Sequence, residues 1–328
     1  MSDPIVMAQL WRNGFLESTH TGHAVICGPN GDLREVWGDP EAEIFPRSSC
    51  KMLQALPLIE SGAADRFGLG TEQLALACAS HSGAEIHTSR VTDWLAAIGQ
   101  SESDLRCGSH EPSDPDTRKA MIKSDTSPCQ IHNNCSGKHS GFLTLNAHLG
   151  GRSEYVDVDH PVQLAVRAAF EEVTGAASPG YGIDGCSAPN FLTTVHGLAQ
   201  AMARFAAATD GGSARDTAMV RLREAMVAHP DLVAGEGRAC TELMRATGGR
   251  AAIKTGAEGV FIAIIPEAKA GVALKINDGT TRASEAAMAA ILVKLGVLDA
   301  AHPAAVKRMA PRQVNWRGID TGVFKAAI

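Results

Sequence analysis

A serine and a lysine three residues apart form the only Ser-x-x-Lys of the chain, in Phe45-Pro46-Arg47-Ser48-Ser49-Cys50-Lys51. Three residues is close to one helical turn, so a helix starting near Ser48 sets the hydroxyl and the amine on one face. A serine hydroxyl becomes an effective nucleophile when a base within hydrogen-bond reach takes its proton. A lysine is such a base only where burial and a neighbouring cation weaken its hold on its own proton. The plainer role for Ser48 is a helix N-cap, with Lys51 a solvated first-turn residue. Spacing alone favours the cap, because four-residue patterns recur easily in 328 residues.

A second signal shifts the balance. Lys254-Thr255-Gly256 occurs once, just before a β-type run. Ser-x-x-Lys opening a helix after an N-terminal meander, followed by Lys-Thr-Gly on a late strand, is the order used by serine β-lactamases and penicillin-binding proteins. Lys254 would supply the cation or hold a substrate carboxylate. The middle element is harder to place. Ser124-Asp125-Thr126 stands beside Pro128 and reads as a surface turn. Ala79-Ser80-His81-Ser82-Gly83 follows the apolar residues 74–78 and offers Ser80 as a hydroxyl aimed at the site, unless the segment is simply another helix end.

Eight cysteines, at 27, 50, 78, 107, 129, 135, 186 and 240, in a long chain without a secretory leader are expected to be thiols. Cys135, in His132-Asn133-Asn134-Cys135-Ser136-Gly137-Lys138-His139, lies in a polar loop with glycine nearby, and so does Cys186, in Ile183-Asp184-Gly185-Cys186. Structural cysteines usually occupy apolar faces instead. Thiolates with flanking histidine suit a borderline ion such as zinc. No Cys-x-x-Cys completes a standard site, and spacing alone weighs against a metal. The other histidines are scattered and read as surface or satisfied residues.

These residues need elements to hold them. Residues 6–10, 24–27 and 33–37 read as a β-meander with an Asn30-Gly31 turn. A helical pattern begins at Ser48, is kinked by Pro57 and stops at Gly62. Residues 70–245 are Ala-rich and mostly helical, with long loops at 101–140 and 176–190. Residues 259–265 and 271–276 read as a second hairpin, and a helix follows over 281–296. Strands at both chain ends with a helical middle describe an α+β fold in which the two ends share one antiparallel sheet.

Composition limits the rest. A 45% hydrophobic content and a net charge of −6 describe a soluble globular protein with no basic cluster, so neither nucleic acid nor membrane is an expected partner, and the expected location is cytoplasmic. No glycine-rich stretch forms a dinucleotide or phosphate loop.

Taken together, Pro46-Arg47-Ser48-Ser49-Cys50-Lys51, Cys78-Ala79-Ser80-His81-Ser82-Gly83, Asn134-Cys135-Ser136-Gly137-Lys138-His139, Asp184-Gly185-Cys186 and Lys254-Thr255-Gly256 resemble the rhizobial-type L-asparaginase family, also called asparaginase II. Five motifs in order span nearly the whole chain. The resemblance implies a serine β-lactamase-like fold, one asparaginase domain over 1–328, and a homodimer. It implies Ser48 as nucleophile, Lys51 as its base, and Ser80 and Lys254 completing the proton network. It also implies zinc held by Cys135, Lys138 and Cys186 beside the substrate. The expected reaction is hydrolysis of L-asparagine to L-aspartate and ammonia through an acyl-enzyme. Matched charges would then hold the zwitterion: Arg47 or Lys254 for the carboxylate, Asp184 for the ammonium. Two rivals remain. A glutaminase or β-lactamase-like amidase would use the same apparatus, and one methylene in an apolar pocket discriminates by only ~10–200-fold. A metal-binding scaffold with Ser48 as a cap would release no ammonia from any amide.

Overall fold

The computed structural model describes residues 2–328, which fall into two compact units. Among these, the first comprises residues 2–49, 193–207 and 242–328, and the second residues 50–192 and 208–241.

The first unit is built on an eight-stranded antiparallel sheet. Its order is Arg312–Val314, Asp320–Ala326, Ile5–Arg12, Phe15–Cys27, Ala270–Ile276, Val260–Ile265 and Ala252–Thr255, with Leu33–Trp37 also paired to Phe15–Cys27. The two chain ends meet where Ala8 opposes Ala326 and Trp11 opposes Val323. The expected α+β arrangement is thus observed. Several strands exceed expectation, Arg312–Val314 among them. The second strand starts at Phe15 rather than residue 24, turning through Asn13-Gly14, where both residues have positive φ. The strand Asp320–Ala326 was not anticipated at all. Val260–Ile265 is buried at every position, so both faces of the sheet centre are covered. Helix Val195–Ala207 presses on it closely enough that a Cβ at Gly271 would stand 2.1 Å from the Ala199 carbonyl oxygen.

The second unit is helical. It begins with Lys51–Gln54 and Leu56–Glu60, two short helices broken at Ala55 just before Pro57, as the proline requires. Thr71–Ala77, Glu85–Ala97, Ser136–Leu149 and Pro161–Thr174 form its centre. The expected loop 101–140 is interrupted by helix Pro115–Ser124, which starts on an Asp114 cap and buries no residue. The expected loop 176–190 carries a small ladder, Tyr181–Ile183 against Pro189–Phe191. All eight cysteines are free thiols, and among the described residues no helix is long and apolar enough to cross a membrane.

Candidate active site

In the first unit Ser48 is half-buried inside the 3₁₀ turn Arg47–Cys50. The N-cap position of the following helix falls on Cys50, which makes no side-chain capping bond. The plainer role of Ser48, a helix N-cap, is therefore not observed. Ser49 carries the local turn instead: its hydroxyl donates to the Pro46 carbonyl at 2.6 Å and its N–H to the same oxygen at 3.2 Å. Arg47, immediately before Ser48, has φ +53°, a left-handed conformation that a non-glycine residue adopts at a cost of about 1–3 kcal/mol. Lys254 is fully buried on Ala252–Thr255, with Nζ donating to the Thr255 carbonyl at 2.8 Å. Gly256 follows because a Cβ there would stand 2.6 Å from the Pro46 oxygen. The Lys-Thr-Gly strand end and the turn bearing Ser48 are thus neighbours, as the paired motifs anticipated.

In the second unit Lys51 is 2% exposed. Its Nζ reaches the Ala79 carbonyl, Ser80 Oγ at 3.0 Å and Cys135 Sγ at 3.1 Å. Three partners match the three N–H bonds of an ammonium; an amine keeps the same geometry if the Ser80 hydroxyl donates to it. Ser80 and His81 are held from both sides, Ser80 N–H donating to the Val233 carbonyl and His81 N–H to the Asn134 carbonyl. The segment Ser124-Asp125-Thr126 does not join them. It ends an exposed helix with Asp125 at φ +51°, a surface turn as expected.

The sulfur side is continuous with this lysine. Cys135 and Cys186 are 5% and 3% exposed, so the loops are polar in sequence while both thiols are buried, which corrects their expected surroundings. Cys135 begins the helix Ser136–Leu149, placing Lys138 one turn on. Lys138 Nζ donates to Cys186 Sγ at 3.0 Å and lies 5.2 Å over the Phe142 ring. Asn133 fixes Cys135: its Oδ1 accepts the Cys135 N–H at 2.8 Å while its Nδ2 donates to the Cys107 and Gly108 carbonyls. Asp184 is half-buried and accepts the Gly185 N–H at 2.7 Å.

Charge is distributed unevenly between the two sulfurs. The hydrogen bond that Cys135 gives Cys186 holds the Cys186 thiol well below its ordinary range, assisted by Lys138 against the effect of burial. The same bond and burial push Cys135 well above. Burial works against the Lys138 charge, but Cys186 and Cys135 outweigh it and raise its proton affinity. Burial pushes His139 down to about 4 and Cys107 up to about 12. Among the described residues no group of three or more His, Cys, Asp or Glu converges as metal ligands. The set Cys135, Lys138, Cys186 is of another kind, two sulfurs and an amine, and fits a borderline ion once Cys135 and Lys138 give up their protons.

Asn133 and Tyr155 were not singled out as working parts by sequence reasoning, and His139 entered it only as a histidine flanking Cys135. Tyr155, sixteen residues from the histidine it bonds, leaves no local signal.

A family model described as L-asparaginase II matches residues 8–326. No curated protein matches the sequence. Among solved structures, Mglu in its native form is similar over 89% of this chain and 69% of its own, at 13% identity and TM-score 0.47. The chain spans 59% of Mglu in its tris and glutamate form. A β-lactamase from Mycobacterium bovis is similar over 83% of this chain and 94% of its own, at 16% identity and TM-score 0.45. For the octameric penicillin-binding protein homologue from Pyrococcus abyssi the figures are 84%, 73%, 13% and 0.34.

Proposed function

The chain belongs to the L-asparaginase II family, which supports an amidohydrolase, and on that premise we propose that it hydrolyses the side-chain amide of L-asparagine to L-aspartate and ammonia. The observation that carries this reading is the buried Lys51 amine, three residues after Ser48 in the sequence and 3.0 Å from Ser80 Oγ.

Ser48 attacks the amide carbon and Lys51 takes its proton. Backbone N–H groups, that of Ser48 among them, stabilise the oxyanion. Ser80 and Lys254 complete the proton network, delivering the proton with which ammonia leaves. Water then opens the aspartyl ester by the same groups in reverse. Arg47 or Lys254 holds the substrate carboxylate and Asp184 its ammonium. A zinc ion held by Cys135, Lys138 and Cys186 would supply a fixed positive centre that orients the amino-acid end of the substrate. We read residues 1–328 as one asparaginase domain working as a homodimer, which light scattering tests by mass.

The test is ammonia release from asparagine, glutamine and a β-lactam panel, with and without chelator, by wild type and Ser48→Ala. Release from asparagine that Ser48→Ala abolishes supports the reading. Preference for glutamine or a β-lactam redirects it to the corresponding amidase, and no release from any amide leaves the scaffold.

A further inference from the structure

His81 stands one residue after Ser80, is 1% exposed, and has both ring nitrogens engaged. Nδ1 accepts the Gly83 backbone N–H at 3.2 Å. A backbone N–H can only donate, so Nδ1 is bare and the neutral ring carries its proton on Nε2. Nε2 lies 2.9 Å from Ser136 Oγ, and that hydroxyl donates to the Ile131 carbonyl at 2.8 Å. With its own proton spent on Ile131, the serine oxygen accepts Nε2–H. A second ring proton would break the bond from Gly83, and burial pushes the ring's proton affinity well down.

The ring and its segment are held on several sides. His87 stacks on His81 with centroids 4.9 Å apart and planes 11° from parallel. His87 is itself fixed by Nε2–H donated to the Asp231 carbonyl at 2.9 Å. The His81 N–H donates to the Asn134 carbonyl and the Ser80 N–H to the Val233 carbonyl. Gly235 closes the segment from the other side, where a Cβ would stand 2.6 Å from Ser82 Oγ.

His81 joins the two walls of the Lys51 cradle. Lys51 Nζ reaches the Ala79 carbonyl and Ser80 Oγ on one wall and Cys135 Sγ on the other. The next residue along the first wall is His81 and along the second Ser136, 55 positions apart in the chain and bonded to each other. We infer that His81 is a positioning residue for the Lys51 amine, its Nε2–H bond to Ser136 fixing the Ser80 hydroxyl and the Cys135 sulfur at their distances from Nζ. The inference deepens the proposed function and rests on Lys51 exchanging its proton with Ser80 there. Misplacing reacting groups by about 1 Å costs on the order of 10²-fold in rate, so the loss of such a cross-tie falls on kcat.

Two kinds of measurement test it, and the first needs no substrate. Long-range ¹H–¹⁵N spectra of histidine-labelled protein should show His81 as the Nε2–H tautomer, with a resonance that Ser136→Ala moves. An Nδ1–H tautomer in wild type, or a resonance indifferent to Ser136→Ala, overturns the inference. In protein labelled with ¹³C at lysine Cε, the Lys51 signal, assigned by its loss in Lys51→Arg, should shift in His81→Phe, which keeps a stacking ring and removes both bonds. An unmoved signal in folded His81→Phe protein overturns the inference. These outcomes hold even if wild type releases no ammonia from any amide, which would sink the proposed function alone. The second is steady-state kinetics on the amide that wild type hydrolyses. Ser136→Ala and His81→Phe should each lower kcat about 10–100-fold with KM nearly unchanged. His81→Gln, whose side-chain amide places an N–H donor near the position of Nε2, should recover most of the loss. Wild-type kcat in a folded His81→Phe protein overturns the inference, and so does a His81→Gln protein no faster than His81→Phe, the mark of a merely structural ring.

Discussion

Two buried lysines of the second unit, Lys51 and Lys138, both end on a cysteine sulfur at nearly the same distance, 3.1 Å and 3.0 Å. Their other partners differ. Lys51 shares its nitrogen with a carbonyl and the Ser80 hydroxyl, a group that can pass a proton onward. Lys138 faces the sulfur whose thiol is held below its ordinary range, with an aromatic ring beneath it. Identical side chains in equal burial thus meet different surroundings: one a carbonyl, a hydroxyl and a sulfur, the other a sulfur and an aromatic ring.

The largest expected effect falls on the first lysine. Lys51→Arg retains the positive charge but has no accessible neutral form, so kcat should fall by about 10²–10⁴, as far as in Lys51→Ala. An active arginine variant, read from steady-state ammonia release, would erase the distinction between the two lysines.

The sulfur side should respond differently. Cys135→Ala, Cys186→Ala and Lys138→Ala should retain turnover at saturating asparagine, with KM raised about ten- to hundred-fold, the worth of a charged hydrogen bond of 1.5–3 kcal/mol. Full Michaelis curves with and without added zinc decide it. Loss of kcat as complete as in Ser48→Ala would place the sulfurs in the chemical step.

Gly137→Ala should damage both ends together. A Cβ there would stand 2.5 Å from the Leu76 carbonyl oxygen, closer than such atoms approach. The helix Ser136–Leu149, which follows Cys135 and carries Lys138, must then move away from Thr71–Ala77. Overpacking of this kind costs about 1–3 kcal/mol, visible as a lowered Tm, and kcat and KM should worsen in step. An unchanged Tm with normal kinetics would mean the two ends do not depend on this contact.

The smallest effect concerns protons. Cys135 and Lys138 both hold theirs more tightly than usual, and both must release them to bind metal. Zinc affinity should therefore be lowest in acid and rise with pH, with proton release measurable by calorimetry in buffers of different ionisation enthalpy. Lys138→Ala should flatten that rise by one proton. An affinity independent of pH would remove these two ligands.

Much of this was legible in the chain. Ser48 and Lys51 drew notice through the order of their motif and the single Lys254-Thr255-Gly256, and the hairpin Val260–Ile265 with Ala270–Ile276 through its apolar runs. Helix Pro115–Ser124 escaped because it buries nothing and so has no apolar stripe, although Asp114 and Pro115 marked its start. The first half of Phe15–Cys27 escaped because Glu17 to Thr21 is polar, despite an Asn13-Gly14 turn as plain as Asn30-Gly31. His139 and Tyr155 meet only through tertiary packing, which no local spacing encodes.

The most direct test of the central claim is to trap the acyl-enzyme. Rapid acid quench of wild type turning over asparagine, followed by peptide mass mapping, should find one aspartyl group esterified to Ser48, accumulating further if hydrolysis of the ester is slowed, and absent in Ser48→Ala. Ammonia release at full rate with no adduct on Ser48, or from a folded Ser48→Ala protein, would contradict it.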